Sequence, residues 1–154
     1  MLIYAAKGVD PASALAIPFV TDPAREYVTS DYVQLEVFPK SRFNKRADET
    51  QFYEGFFAAN LVTVTPTPAL IAFAMQEACE CGMSAIDALH VACAIFAGAT
   101  ELITSEKTTK PIHRTRKIRV ISIFQDGPKK RATVLRTIAS ALRRLASFIE
   151  RHTS

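Results

Sequence analysis

Two carboxylates in this chain, Glu36 and Asp87, have neighbours that do not suit a freely solvated surface. Glu36 lies in Val33-Gln-Leu-Glu-Val-Phe38 and Asp87 in Ala85-Ile-Asp-Ala-Leu89. Each falls near an apolar helix face, where an unpaired charge would be costly to bury. Glu106 follows directly on the strand-like run Glu101-Leu-Ile-Thr104, and the carboxyl ends of parallel strands are where open α/β sheets place their sites. Carboxylates converging there would bind a hard divalent cation such as Mg²⁺ or Mn²⁺. Such an ion neutralises a phosphodiester and lowers the pKa of a bound water for in-line attack, so no Ser or His nucleophile is needed. Each residue also has a plain structural reading. Asp87 suits the acid of a capping box opened by Ser84, Glu36 suits a pair with an arginine or a wetter edge than the pattern suggests, and Glu106 suits the N-terminus of a short turn. His90, one turn after Asp87, is read as structural, and His113 and His152 lie in basic segments.

The elements that must position these groups alternate between strand and helix. Arg25–Thr29 is a short β-rich run, followed by a cap signal at Ser30-Asp31 and by YVQLEVF, which Pro39 is expected to stop. Helical periodicity resumes over Ala47–Asn60, with Phe52, Phe56 and Phe57 on one face, and Leu61–Thr65 alternates as a strand does. Thr67-Pro68 opens an alanine-rich helix that runs to about Cys81 and ends at Gly82. Ser84 opens a second apolar helix ending near Gly98. Glu101–Thr104 and Arg119–Phe124 complete the strands, the latter apolar enough to predict burial inside a parallel sheet. This alternation predicts an α/β sandwich with right-handed crossovers. Met1–Ala5, taken alone, reads as a strand. Beyond the turn Gln125-Asp-Gly-Pro128, the residues Leu135, Ile138, Leu142, Leu145 and Ile149 recur at helical spacing, with arginines mainly off that stripe. Residues 125–154 therefore read as a linker and a basic amphipathic helix.

Composition bounds the rest. A chain of 154 residues, 49% hydrophobic and 22% charged, is the size of one domain and excludes a disordered chain or a disulfide-stapled miniature. The net charge of +4 is a cancellation: residues 1–106 carry −7 and residues 107–154 carry +11. Cys79, Cys81 and Cys93 lack zinc-knuckle spacing and are read as buried, reduced thiols suited to the cytoplasm. The N-terminus lacks the pattern of a signal peptide, and no uncharged apolar run is long enough to span a membrane.

The order of these motifs resembles the PIN domain of the VapC-like ribonuclease toxins. The resemblance rests on DYVQLEVFPK at residues 31–40 and SAIDALHVACAIFAGATELITSEKTTKPI at residues 84–112. Glu36 matches the family's second acidic position, Asp87 in Asp87-Ala-Leu-His-Val-Ala92 the third, and Glu106 in Thr104-Ser-Glu106 the last, with Glu for the commoner Asp. Over residues 1–124 the resemblance implies a three-layer α/β/α fold with a parallel central sheet. It also implies a metal-dependent endoribonuclease whose Glu36, Asp87 and Glu106 hold Mg²⁺ or Mn²⁺. An antitoxin protein would restrain it at the acidic cleft, and the family often forms homodimers. The resemblance turns Met1–Ala5 into the first turns of a helix. It leaves the family's first strand, usually central in the sheet, and its first catalytic Asp missing from the chain. Two expectations follow: the natural start lies several residues upstream, or the chain is an inactive scaffold. As a scaffold, its basic region from Lys107 onward would bind nucleic acid or an acidic partner.

Overall fold

Helix and strand alternate through the computed structural model, which describes residues 1–8, 10–59 and 62–124. The basic segment 125–154, expected to form the linker and amphipathic helix, lies outside the described residues. The chain divides into two compact units, one taking Met1–Glu26 and Val37–Asn60, the other Tyr27–Glu36 and Leu61–Gln125.

In the first unit, Met1–Ala5 is not a strand. Leu2–Lys7 forms α1, burying Leu2 and Ala5 one turn apart and ending on Gly8. Asp10 then caps α2 (Pro11–Val20) by accepting the Ser13 amide at 2.8 Å. This bond holds the Asp10 carboxyl below its usual range. Ser13 Oγ donates to the Tyr4 carbonyl at 2.6 Å and so ties α2 to α1. Helix α3 (Asp31–Phe43) does not stop at Pro39 but continues through it to Phe43. A proline removes a single i→i−4 bond, to the carbonyl of Leu35, and Leu35 is exposed, so water can take that acceptor. In α4 (Ala47–Ala58) the buried aromatic is Tyr53, packed edge-on against Phe38 at 5.9 Å. Phe52, Phe56 and Phe57 are half-buried around it. Burial pushes the Tyr53 hydroxyl up to about 12.

The second unit is built on two helices and two strand pairs. Thr67 caps α5 (Pro68–Cys81) by accepting the Leu70 amide at 3.2 Å, and Gly82, at φ 67°, turns the chain toward α6 (Ala85–Phe96). A side chain at Gly82 would be strained by that φ and would meet the Arg114 guanidinium at 3.3 Å. The α5–α6 pair buries Leu70, Ala74, Val91 and Ala92, joined by Ile112 and Ile118. Strand β1 (Val28–Ser30) runs parallel to β2 (Val62–Val64), and β3 (Glu101–Thr104) parallel to β4 (Arg119–Ser122). Helix α6 packs on both β1 and β3. The expected parallel pairing is present, but among the described residues it forms two two-stranded sheets rather than one central sheet. Nor is β4 buried on both faces: Arg119 is exposed, Val120 and Ile121 are only half-buried, and among the described residues the strand has one partner.

Strand β1 is different. Thr29 and Ser30 point to opposite faces, yet only 5% and 1% of them is exposed. Burial on both faces is the mark of a strand covered on both sides of its sheet. Thr29 Oγ1 has no hydrogen-bond partner among the described residues, and Ser30 Oγ has only the weak Cys93 thiol beside it. A buried hydroxyl without a partner costs about 1–3 kcal/mol. Thr29→Val, which replaces that hydroxyl with a methyl, is expected to stabilise the protein by about 1 kcal/mol. Urea unfolding checks this, and a lowered midpoint would show that the hydroxyl has a partner.

All three cysteines are free thiols, but only Cys93 is buried. Cys79 is exposed because it continues the outer stripe of α5 that carries Ile71 and Met75. No helix among the described residues is long and apolar enough to cross a membrane.

Candidate functional site

The strand ends and helix starts of the second unit place the predicted acidic residues. Glu36 projects from α3, which follows β1 without a break. Its partner is not an arginine: His90 Nε2 donates to Glu36 Oε2 at 3.0 Å. This hydrogen bond holds the half-exposed Glu36 carboxyl below its ordinary value, against a smaller opposing effect of burial. A carboxyl depressed by folding adds stability that is present above its unfolded pKa and lost as pH falls through the folded one. The Glu36–His90 contact is therefore expected to fade below about pH 4.5. Glu36→Gln should flatten the acid limb of a stability–pH curve, and an unchanged limb would mean that the pair contributes nothing.

Asp87 sits in the first turn of α6 and fills the capping position. Its amide donates to Ser84 Oγ at 3.2 Å, and Ser84 Oγ donates to Asp87 Oδ2 at 2.8 Å. His90 follows three residues later, on the same helix face. Glu106 follows β3 in a bend. Its amide donates to Thr104 Oγ1 at 3.1 Å and its carbonyl accepts from His113 Nε2 at 3.2 Å. Only four residues link α6 to β3, so the helix runs antiparallel to the strand it packs on. The first turn of α6, with Asp87, thus lies toward the carboxyl end of β3, where Glu106 emerges. Glu36 reaches the same helix through His90.

The donor chemistry suits a hard cation. Glu36 Oε1 and Asp87 Oδ1 carry no hydrogen bond among the described residues, leaving one carboxylate oxygen on each available. The residues do not form a finished cage, because no three His, Cys, Asp or Glu side chains among the described residues gather closely enough to hold an ion. Sequence spacing did not reveal the role of His90 as partner to Glu36. The available signal was its position three residues after Asp87, on the face where a carboxylate was already expected. No family model matches the chain, and no curated protein or solved structure is similar to it.

Proposed function

We propose that this chain is a metal-dependent endoribonuclease of the PIN-domain toxin type, cleaving RNA phosphodiester bonds at the Glu36, Asp87 and Glu106 carboxylates. The observation that carries the reading is the Glu36–His90 hydrogen bond. It draws a carboxylate from α3 to the face of α6 that holds Asp87, toward the strand end that delivers Glu106. The parallel strand pairs that α6 packs on, with β1 buried on both faces, support a layered α/β reading. Mg²⁺ or Mn²⁺ bound there would supply a low-pKa water and charge neutralisation. Glu36 and Asp87 would offer the oxygens that His90 and Ser84 leave unbound, and Glu106 its own carboxylate. His90 orients Glu36 in this scheme. A cytoplasmic location, an antitoxin partner and a homodimer belong to the same proposal.

The test is cleavage of single-stranded RNA by the full chain, with Mg²⁺ or Mn²⁺ and then with excess EDTA. Cleavage with metal that EDTA abolishes supports the reading. No cleavage, or cleavage that EDTA leaves unchanged, overturns it. A second reading, a non-enzymatic binding module, is favoured by the absence of a gathered cation cage among the described residues. It predicts RNA binding that persists in EDTA and falls steeply with salt, without cleavage.

A further inference from the structure

The corner between α3 and α4 concentrates charge in a way the acidic sites do not use. Residues 1–106 contain six Lys and Arg, and four of them fall between residues 40 and 46: Lys40, Arg42, Lys45 and Arg46. Amid them stands Phe43, 86% exposed and the most exposed large hydrophobic side chain among the described residues. An isolated exposed apolar residue is ordinary, but an exposed ring inside a basic cluster in an otherwise acidic stretch is not. The cations fall into two groups. The Arg42 guanidinium lies over the Phe38 ring at 4.5 Å and reaches Glu54 at 3.5 Å, while Arg46 pairs with Glu49 at 2.7 Å. Lys40 and Lys45 have no ion pair among the described residues and so remain available to an anion. Lys45 lines an open cleft with Arg42, Arg46, Thr50, Gln51 and the Glu54 carboxylate that Arg42 reaches.

The backbone adds a second, independent observation. Helix α3 ends in a Schellman motif, with the Arg46 amide on the Ser41 carbonyl at 2.9 Å and the Lys45 amide on Arg42 at 3.0 Å. Helix α6 ends in the same motif, with Ala99 on Ala94 and Gly98 on Ile95. The left-handed position is Gly98 in α6, at φ 71°, but Lys45 in α3, at φ 55°. Lys45 is the sole non-glycine residue with positive φ among the described residues. A side chain is thus kept where glycine would relieve strain. Favourable interaction of cations with a helix C-terminus accounts for Lys40 and Arg42. It does not account for Lys45, which lies beyond the helix, nor for Phe43.

We propose that the α3–α4 corner is a contact surface for single-stranded RNA, with a base stacked on Phe43 and phosphates held by Lys40 and Lys45. This rests on the nuclease reading for its choice of ligand, and adds to it a substrate-gripping surface outside the acidic residues. Aromatic stacking with flanking cations is how sequence-tolerant single-strand binding works. An acidic protein would satisfy the lysines but has no need of the ring.

The experiment measures binding of a fluorescein-labelled oligouridylate of about 12 nucleotides to the full chain by anisotropy, at low salt in EDTA. Phe43→Leu keeps an apolar side chain at an exposed site and is expected to weaken binding about tenfold, leaving affinity for duplex RNA nearly unchanged. Lys45→Gly is expected to raise Tm by about 2 °C while weakening binding severalfold. No binding by the parent chain, parental binding by Phe43→Leu, equal losses for duplex and single strand, or displacement by polyglutamate as effective as by unlabelled oligouridylate would each overturn the proposal. Asp87→Asn keeps the two readings apart. If it cleaves like the parent while Phe43→Leu weakens binding, the acidic-site assignment falls and the surface stands. If it loses cleavage while Phe43→Leu binds normally, the surface falls and the nuclease reading stands.

Discussion

Glu77→Ala is expected to remove about 2–4 kcal/mol of stability, a large share of what a domain of this size possesses. Glu77 is only 1% exposed, yet it carries a carboxylate. Its Oε2 accepts from Thr115 Oγ1 at 2.8 Å, and its Oε1 pairs with the Lys117 ammonium. Lys117 also reaches Glu80 at 3.2 Å and lies over the Phe73 ring at 5.0 Å, while Gln76 donates to Glu80 at 2.7 Å. The network fastens residues 115–117 onto α5, just before the chain enters β4. Truncation to alanine leaves a cavity and strands the buried Thr115 hydroxyl, so two penalties add. Glu77→Gln keeps an acceptor for Thr115 and should cost less. Glu77→Leu combined with Thr115→Val removes the polar groups together and should recover much of the loss. Urea midpoints decide this, and a parental midpoint for Glu77→Ala would show that the carboxylate is not buried as described.

The same network has a pH signature. Hydrogen bonding to Glu77 is the largest effect on the Lys117 ammonium and, with Glu80, holds it above its ordinary 10.5. A group raised by folding contributes stability that is fully present below its unfolded pKa and lost as pH rises through the folded one. The contribution therefore persists through neutral pH and is lost above about pH 10.5. Loss of stability between pH 7 and 9 has to come from other groups.

Helix caps and stops are legible in the sequence, and contacts between distant residues are not. Thr67-Pro68, Gly82 and Ser84 each act within one helical turn, so their caps and stops can be deduced from neighbouring residues. Pro39 misleads because a proline removes one backbone bond, and α3 reaches its Schellman end at Lys45 without it. The strand-like look of Met1–Ala5 misleads because so short an apolar run fits either period, while its buried positions, Leu2 and Ala5, are one helical turn apart. The burial of Glu77 left a trace: Leu70, Ala74, Glu77 and Cys81 form one helical stripe, and Glu77 is the one charge on it. The Glu36–His90 contact joins residues 54 apart in sequence, and no periodicity encodes it. Asp87 was the ambiguous case, legible as both a cap and a metal ligand, and its capping contacts with Ser84 are present.

Asp87→Asn separates those two roles and should produce the largest change in activity of any single substitution. The asparagine carbonyl oxygen can still accept from Ser84 Oγ, and the backbone amide still donates to it, so α6 keeps its start. Only the favourable interaction of the negative charge with the helix N-terminus is lost, worth about 0.3–1 kcal/mol. On the proposed reading, a cation held by this carboxylate would lose much more. Changes to groups that merely support metal ligands cost about 10–100-fold, so removing the charge of a ligand itself should reduce metal-dependent RNA cleavage at least a hundredfold. Ser84→Ala makes the opposite cut. It deletes the hydroxyl that accepts the Asp87 amide and costs about 1 kcal/mol, yet leaves both Asp87 oxygens free for a cation. The expected pair is a nearly parental Tm with collapsed cleavage for Asp87→Asn, and a lowered Tm with retained cleavage for Ser84→Ala. If both variants lose cleavage only in proportion to their lost stability, Asp87 is a capping residue and nothing more. The Glu36, Asp87 and Glu106 assignment would then fail.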